Sequence, residues 1–448
     1  MATRRSANLA IAFSPTFKRQ TTRGTPLDAS ELTRAFPATS RNYINTDETV
    51  EEIYDCTDED LLIELVTGRI ASLTIDADVD ANILAGMLGF AYGVAASPSG
   101  GTAELQRLTI SGSPTGGNYK LRFTVDYDTQ ETATIAYNAN AAAIQSALLA
   151  LSNIGASDLT VAVASGGSDG VGPYDITFAA NLNYRDLSML EPISVALTGG
   201  TSPSVAVTEV TPGAGRSHAI SRLGVGVYTL PCTTLYVGFR GSDKQPVIFE
   251  GVCVNNARVR GRFREKLTMS FELLGSANLQ SAVGFTMPDC ENIEPLRFSD
   301  LVYTLGNTNQ SSLLREAEYY YSNEILRGDH PFTGSGIDID RLERANRRVS
   351  YINATLLGEP DDTLYNQAKA RTILQSSLRI GPASQNVLCN QPSSIFKFAQ
   401  QPPIDFQGEA NESVILTQNR PKKIKGDSTT PSNIVATTRQ ASAYLVAA

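Results

Sequence analysis

The chain of 448 residues has no tryptophan, two histidines, and five each of cysteine and methionine. Each shortage excludes something. His218 and His330 lie far apart in sequence, and no metal-ligand spacing surrounds either of them. A serine-histidine-aspartate triad finds no nucleophile-elbow pattern to support it. No catalytic, cofactor-binding or metal-ligating residues are therefore expected, and no cofactor. Cys56, Cys232, Cys253, Cys290 and Cys389 are scattered and odd in number, and none forms a C-x-x-C pair. That pattern argues against a disulfide scaffold and for reduced thiols, with covalent links between subunits as the sharper alternative. No run of 18 apolar residues exists, so no membrane span is expected. The opening "MATRRSANLAIAFSPTFKR" is too short for a signal-peptide core, and the N-x-S/T triplets at Asn309, Asn353 and Asn411 then read as chance.

Threonine, serine, alanine, valine and glycine are abundant, which suits a β-rich structure with many turns. The net charge of −9 excludes a basic nucleic-acid binder overall, though not a local basic patch. The length predicts two or three domains. Residues 1–45, with Pro15, Pro26 and Pro37, read as an extended arm. "ETVEEIYD", "LLIELVTG" and "IASLTIDAD" read as strands. A helix follows, with Ile83, Leu84, Met87 and Leu88 at helical spacing, Asp80 as N-cap and Gly89 or Gly93 as stop.

The texture changes between Ser97 and Thr211. Residues 101–214 hold four basic and ten acidic side chains, a net −6. Tyr119, Leu121, Phe123, Val125 and Tyr127 alternate along one predicted strand. So do Leu159, Val161 and Val163, then Tyr174, Ile176 and Phe178, then Ile193, Val195 and Leu197. One helix interrupts them, with Ile144, Leu148, Leu151 and Ile154 as its stripe and Gly155 at its end. "GGSDGVG" (166–172) lacks the lysine of a phosphate loop and reads as a hairpin turn. Glycine or proline flanks the block on each side, as an inserted domain requires.

Strands resume after Gly215. "ARVRGRFR" places Arg258, Arg260, Arg262 and Arg264 on every second residue, with Ala257, Val259, Gly261 and Phe263 expected inward. Three roles are open to such a row. A nucleic-acid strand would want aromatics on the same face and a basic field, and the sequence offers neither. A solvated edge would use the charges to block aggregation. A contact surface would meet carboxylates of another subunit, for which Asp47–Glu52 or Asp55–Asp60 are candidates. Tyr319, Tyr320 and Tyr321 must alternate between core and surface, so they cannot form one stacking platform. "EKLTMSFELLG" (265–275) and "RRVSYINATLLG" (347–358) echo one another, a weak sign of duplication. "DTLYNQAKARTIL" suits either helix or strand.

The series "TLYVGFRGSDKQPVIFEGVCVNNARVRGRFREKLTMSFELLGSA", with the preceding "LIELVTGRIASLTIDADVDANILAGMLGFAYG", resembles tail tube proteins of long-tailed bacteriophages. "YYYSNEIL" followed by "RRVSYINATLLG" is similar to the second half of their longer members. The likeness covers roughly residues 40–98 and 215–440 and is one of texture and order. "NANAAAIQSALLALSNIGASDLTVAVASGG" and "PYDITFAANL" separately resemble a small β-rich domain of phage virion proteins. The resemblance implies a mainly β chain with two tail-tube-type β-sandwiches and flanking helices, and an inserted β-rich domain with one helix. The expected division is 1–98 with 215–293, then 99–214 as the insert, then 294–448.

It further implies a non-enzymatic virion protein that assembles in the host cytoplasm. Its rings stack into a tail tube that conducts DNA during ejection without binding it sequence-specifically. A doubled chain would form a trimeric ring of pseudo-sixfold symmetry, and a single fold a hexamer. Partners would be further copies, a tape measure protein and a sheath where one exists. Arg258, Arg260, Arg262 and Arg264 would be subunit or ring contacts. The rival readings are a surface-binding β-sandwich, a β-rich glycosidase with two carboxylates, and another tail component such as a terminator or sheath.

Overall fold

A computed structural model describes residues 7–445, apart from 22–23, 41–43, 55–60, 126–127, 225, 240–244, 289, 291–294, 307, 326–341, 344–347, 358–372, 396–413, 422–432 and 441. His330, Cys56 and nearly all of "DTLYNQAKARTIL" lie outside the described residues. The chain is mainly β, as expected.

Valine-rich, alternating sequence places one strand, Val247–Arg262, at the centre of the larger body; it is called the arginine strand below. Along one edge it pairs with Thr268–Gly275. Along the other its first part meets Thr233–Phe239 and its second part meets Leu314–Ser322, the tyrosine strand. Pairing continues from Thr268–Gly275 to Leu61–Asp78, then Arg34–Ser40, Ala7–Phe13 and Thr233–Phe239, and so returns to the arginine strand. Closure of this circuit leaves those six strands few open edges. From the tyrosine strand a wing runs outward through Val349–Leu357 to Val414–Pro421. A further sheet holds Leu301–Leu305, Ile373–Ile380, Asn386–Ile395, Asn433–Thr438 and Arg216–Arg222. The two echoing segments are the strands Thr268–Gly275 and Val349–Leu357, the outer members of a four-stranded run around the arginine and tyrosine strands.

The helix Ala81–Tyr92 is buried along its whole length, not on one stripe alone. It packs on the arginine strand and on Asn433–Thr438, Arg216–Arg222 and Asn386–Ile395. A helix that is apolar all round belongs between layers. Asp80 caps it as expected, accepting from Asn82 N and Ile83 N at 2.9 and 3.0 Å. Gly93, at φ 102°, ends it in the left-handed region that glycine enters without strain. The aromatic ring of Phe17 lies so close to Gly86 that no Cβ would fit between them.

Residues of the N-terminal and C-terminal parts share one core. Tyr92 from the helix stacks on Tyr321 at 4.4 Å, and its hydroxyl lies 2.5 Å from that of Tyr319. Arg222 lies over both Tyr92 and Tyr321, 5.5 and 5.6 Å from their centroids, and donates to Ser350 Oγ at 2.6 Å. Tyr444 donates to Asn82 Oδ1 at 2.5 Å and shares a 2.8 Å hydrogen bond with Thr438.

Strands between Leu105 and Thr211 form two smaller sheets around a separate core of Leu108, Tyr119, Leu121, Phe123, Ile144, Tyr174 and Phe178, among others. The buried Glu104 carboxylate accepts from Gln106 Nε2 and Leu187 N, both at 2.5 Å, and pins the 187–190 loop to this core. Chain entry and exit are zipped together: Thr102 and Ala214 exchange both backbone hydrogen bonds, at 2.9 and 3.0 Å.

Three expectations in this block need correction. The helix spans Ala141–Leu149 and stops short of Gly155, which instead donates its N–H to Asp158 Oδ2 at 2.8 Å. Leu151 and Ile154 still enter the core, from the turns beyond the helix. Ile193, Val195 and Leu197 do not share a buried face, because a register shift between Ile193 and Ala196 turns Val195 outward. Val163 is likewise exposed. "GGSDGVG" is a hairpin turn, with Ser168 opposite Gly172.

Candidate functional site: the arginine face

Alternation along the arginine strand puts Ala257 and Val259 in the core and Arg258, Arg260 and Arg262 on the opposite, polar face. The row ends there. The strand stops at Arg262, and Arg264 stands in the turn beyond it at φ 68°. Phe263, expected inward, is 45% exposed, because the alternation is lost with the strand. Its ring meets Phe298 edge-on at 6.0 Å, with Arg264 and Arg315 at 5.3 and 4.9 Å.

The row is not bare. Register sets Arg260 opposite Glu318 and Arg262 opposite Glu316 on the tyrosine strand. The side chains reach diagonally. Arg258 Nε donates to Glu318 Oε2 at 2.8 Å, and Arg260 Nε donates to Glu316 Oε1 at 2.6 Å. Arg262 Nη2 lies 3.6 Å from Glu316 Oε2. Hydrogen bonding to Glu318, only partly opposed by desolvation, holds the Arg258 guanidinium above its usual pKa. Carboxylates of the same chain thus already pair with the row. Glu316 and Glu318 alternate in "LREAEYYYS" two residues apart, as the arginines do. That common period was the available signal; the pairing of the two strands was not.

Tyrosines alternate as expected. Tyr319 and Tyr321 are buried, while Tyr320 lies on the arginine face, stacked on Tyr351 of the next strand at 4.9 Å. Aromatics do therefore share the arginines' face, contributed by neighbouring strands. Across Thr268–Gly275 the same face carries Thr268 and Ser270, and beyond them Asp78 and Asp76. The result is a polar, charge-compensated surface five strands wide, backed by the apolar core.

Because the ladder lies within one chain, reversing a charge acts on the fold first. Arg260→Glu sets like charges beside Glu316 and Glu318 and is expected to cost about 1–2 kcal/mol, read as a lower melting temperature. An Arg260→Ala, Glu316→Ala double-mutant cycle should return a coupling of about 0.5–1 kcal/mol, since both side chains are part-exposed. A coupling of zero would make the ladder a packing accident.

Among the described residues no group of three or more histidine, cysteine or acidic side chains could hold a metal ion, and no helix is long and apolar enough to cross a membrane. No family model matches the chain. Over 133 residues it is 30% identical to the tail sheath protein of Mycobacterium phage Bxz1. The similarity is to a structural protein of a phage tail. The matched stretch amounts to 30% of this chain and only about a fifth of that relative's length (20%).

Proposed function

We propose that the chain is a structural subunit of a phage tail, of the tube type, whose copies form rings that stack around a DNA conduit. The observation that carries this reading is the broad polar face, whose Arg258 and Arg260 guanidiniums are already paired with Glu318 and Glu316. DNA adheres to a protein in proportion to the phosphates that free cations neutralise. A lumen must not hold DNA, and a compensated Arg–Glu ladder on an acidic chain offers phosphates little. Arg258, Arg260 and Arg262 then line the lumen, and Arg264, outside the ladder, belongs to a contact between copies. The strands 1–98 with 215–293 and those of 294–448 act as two tube units, so that three chains complete a pseudo-sixfold ring. A tape measure protein and a sheath are its expected partners, and the virion tail its place.

Negative-stain microscopy of the purified chain tests this. Stacked rings or tubes are expected, and compact monomers at high concentration would overturn it. A second reading, a sheath-type subunit, is favoured by the similarity to the Bxz1 sheath protein. A sheath subunit would polymerise around a pre-formed inner tube and leave a lumen too wide for DNA alone.

Residues 99–214 are proposed as a module carried outside the conduit. They have their own core and a zipped base. Deleting residues 101–212 removes that core whole and leaves two adjacent chain ends to join. The shortened chain is expected to melt within a few degrees of the full one and to form the same polymers. Loss of assembly would make the module part of the ring.

A further inference from the structure

Two of the cysteines fall side by side. Register sets Thr233 opposite Val252, where the strand Thr233–Phe239 begins its contact with the arginine strand. One position further out Cys232 stands opposite Cys253, and both side chains join a small cluster with Ile70, Leu230 and Leu274. The Cys232 carbonyl accepts from Gln20 N at 2.8 Å, so it is not spent on the arginine strand. The two residues are therefore neighbours of the non-hydrogen-bonded kind, whose Cα atoms approach to about 4.5 Å in an antiparallel sheet. A disulfide spans Cα separations of about 4.4–6.8 Å.

The thiols hang from adjoining groups. Cys232 Sγ lies 3.9 Å from Gln20 O, and Cys253 Sγ lies 3.8 Å from Gly251 O. Gln20 and Gly251 are joined in turn, since Gly251 N donates to Gln20 Oε1 at 2.9 Å. Exposure separates the two thiols: Cys232 is half-buried and Cys253 fully buried. The other described cysteines stand apart. Cys389 is buried in the further sheet, opposite Leu378 and Ile434, and burial pushes its thiol up, which keeps it unreactive. Cys290 packs beside Ala35, in a different cluster.

We propose that Cys232 and Cys253 are an oxidisable pair, closed to a disulfide across the two strands by a small disulfide such as oxidised glutathione. The Cys232 thiolate attacks one sulfur of the reagent and displaces the first glutathione as a thiolate. Cys253 then attacks Cys232 Sγ in the mixed disulfide and displaces the second. Two protein thiols are oxidised and one reagent disulfide is reduced. The two protons lost by the cysteines end on the two glutathione thiolates, so no other oxidant enters. The bond ties Thr233–Phe239 to the arginine strand within the closed circuit of six strands. A reducing compartment keeps the pair as thiols, and an oxidising medium closes it. None of this depends on the tail-subunit reading.

The folded full-length chain is incubated with oxidised glutathione, alkylated and digested with trypsin, which cuts between the two cysteines at Arg240 and Lys244. Mass spectrometry should find the Cys232 and Cys253 peptides joined, from a chain that runs as a single copy on a non-reducing gel. Cys253→Ala should stop at glutathionylated Cys232, and Cys232→Ser should leave Cys253 unmodified. The closed chain should melt a few degrees above its reduced form, a difference that Cys232→Ser abolishes. Cys232 is half-buried, so its serine variant keeps the test sound even if Cys253→Ala folds poorly. Several results would overturn the pair: Cys232 holding glutathione in the natural sequence while Cys253 stays free, both thiols left unmodified, or either cysteine joined to Cys56, Cys290, Cys389 or another copy.

Discussion

Replacing Tyr319 with alanine should destabilise the chain by about 3–5 kcal/mol, the cost of removing a large aromatic from a core that cannot close over the gap. Tyr319 is 1% exposed, and its hydroxyl meets that of Tyr92, itself stacked on Tyr321. Burial pushes both phenols above their ordinary pKa, so both keep their protons and can share the bond. Tyr319→Phe separates the two contributions: the ring stays, the Tyr92 hydroxyl loses its bond to Tyr319 and keeps that to Arg222, and about 1 kcal/mol should be lost. The position joins the two halves of the chain, the helix on one side and the tyrosine strand on the other. Chemical denaturation should therefore show both variants losing one cooperative transition earlier. If instead the C-terminal half unfolds separately while the rest stays intact, the shared core is not what couples them.

Acid should unfold the chain through His218. This imidazole is fully buried against Tyr444, with ring centroids 4.8 Å apart. One nitrogen, Nε2, lies 3.1 Å from the Gln440 carbonyl, and Nδ1 has no partner among the described residues. Burial pulls its pKa down to about 4; the Gln440 carbonyl opposes this, and Arg216 adds to it. The unfolded chain binds this proton near the ordinary histidine value of about 6.5. Between those values the unfolded state holds more protons, so stability falls as pH drops. The contribution is intact above about pH 6.5, shrinks through the interval, and is spent near pH 4, for a total of about 3 kcal/mol. His218→Gln should lower stability at pH 8 and flatten the slope between pH 6.5 and 4. A slope unchanged in that variant would assign the acid sensitivity elsewhere.

The consequence reaches the C-terminal segment, because Gln440 and Tyr444 are the partners of His218. Protonation sets a charge beside the turn that holds Tyr444 against Asn82 and Thr438. The first structural loss in acid should be the docking of residues 433–445, visible as faster amide exchange there before global unfolding.

The arginine row marks where reading the sequence reached its limit. Its period of two, its polar face and the inward Ala257 and Val259 were all legible, since alternation is a property of one strand alone. That Arg264 falls outside the row was not, because the strand's end is set by the turn that starts at Phe263. Nor was the ladder itself. Glu316 and Glu318 stand more than fifty residues away, and only the register between two strands sets them beside Arg258 and Arg260. The same holds for the aromatics of that face, Tyr320 and Tyr351, which two neighbouring strands bring together.

Local rules alone determined the mainly β character, the Asp80 cap and the hairpin at 166–172, because each depends on residues a few positions apart; they offered Gly89 or Gly93 as the helix stop, and the fold uses Gly93. Local charge counting likewise found the acidic block 101–214 and the acidic segments Asp47–Glu52 and Asp55–Asp60. Tertiary structure decided what those charges face. Pairing across the sheet turned a row of cations into a neutralised surface. The physical reason is range: backbone and side-chain preferences act over a turn or a strand, whereas the energy of a charge depends on which distant carboxylate the fold brings within a few ångströms.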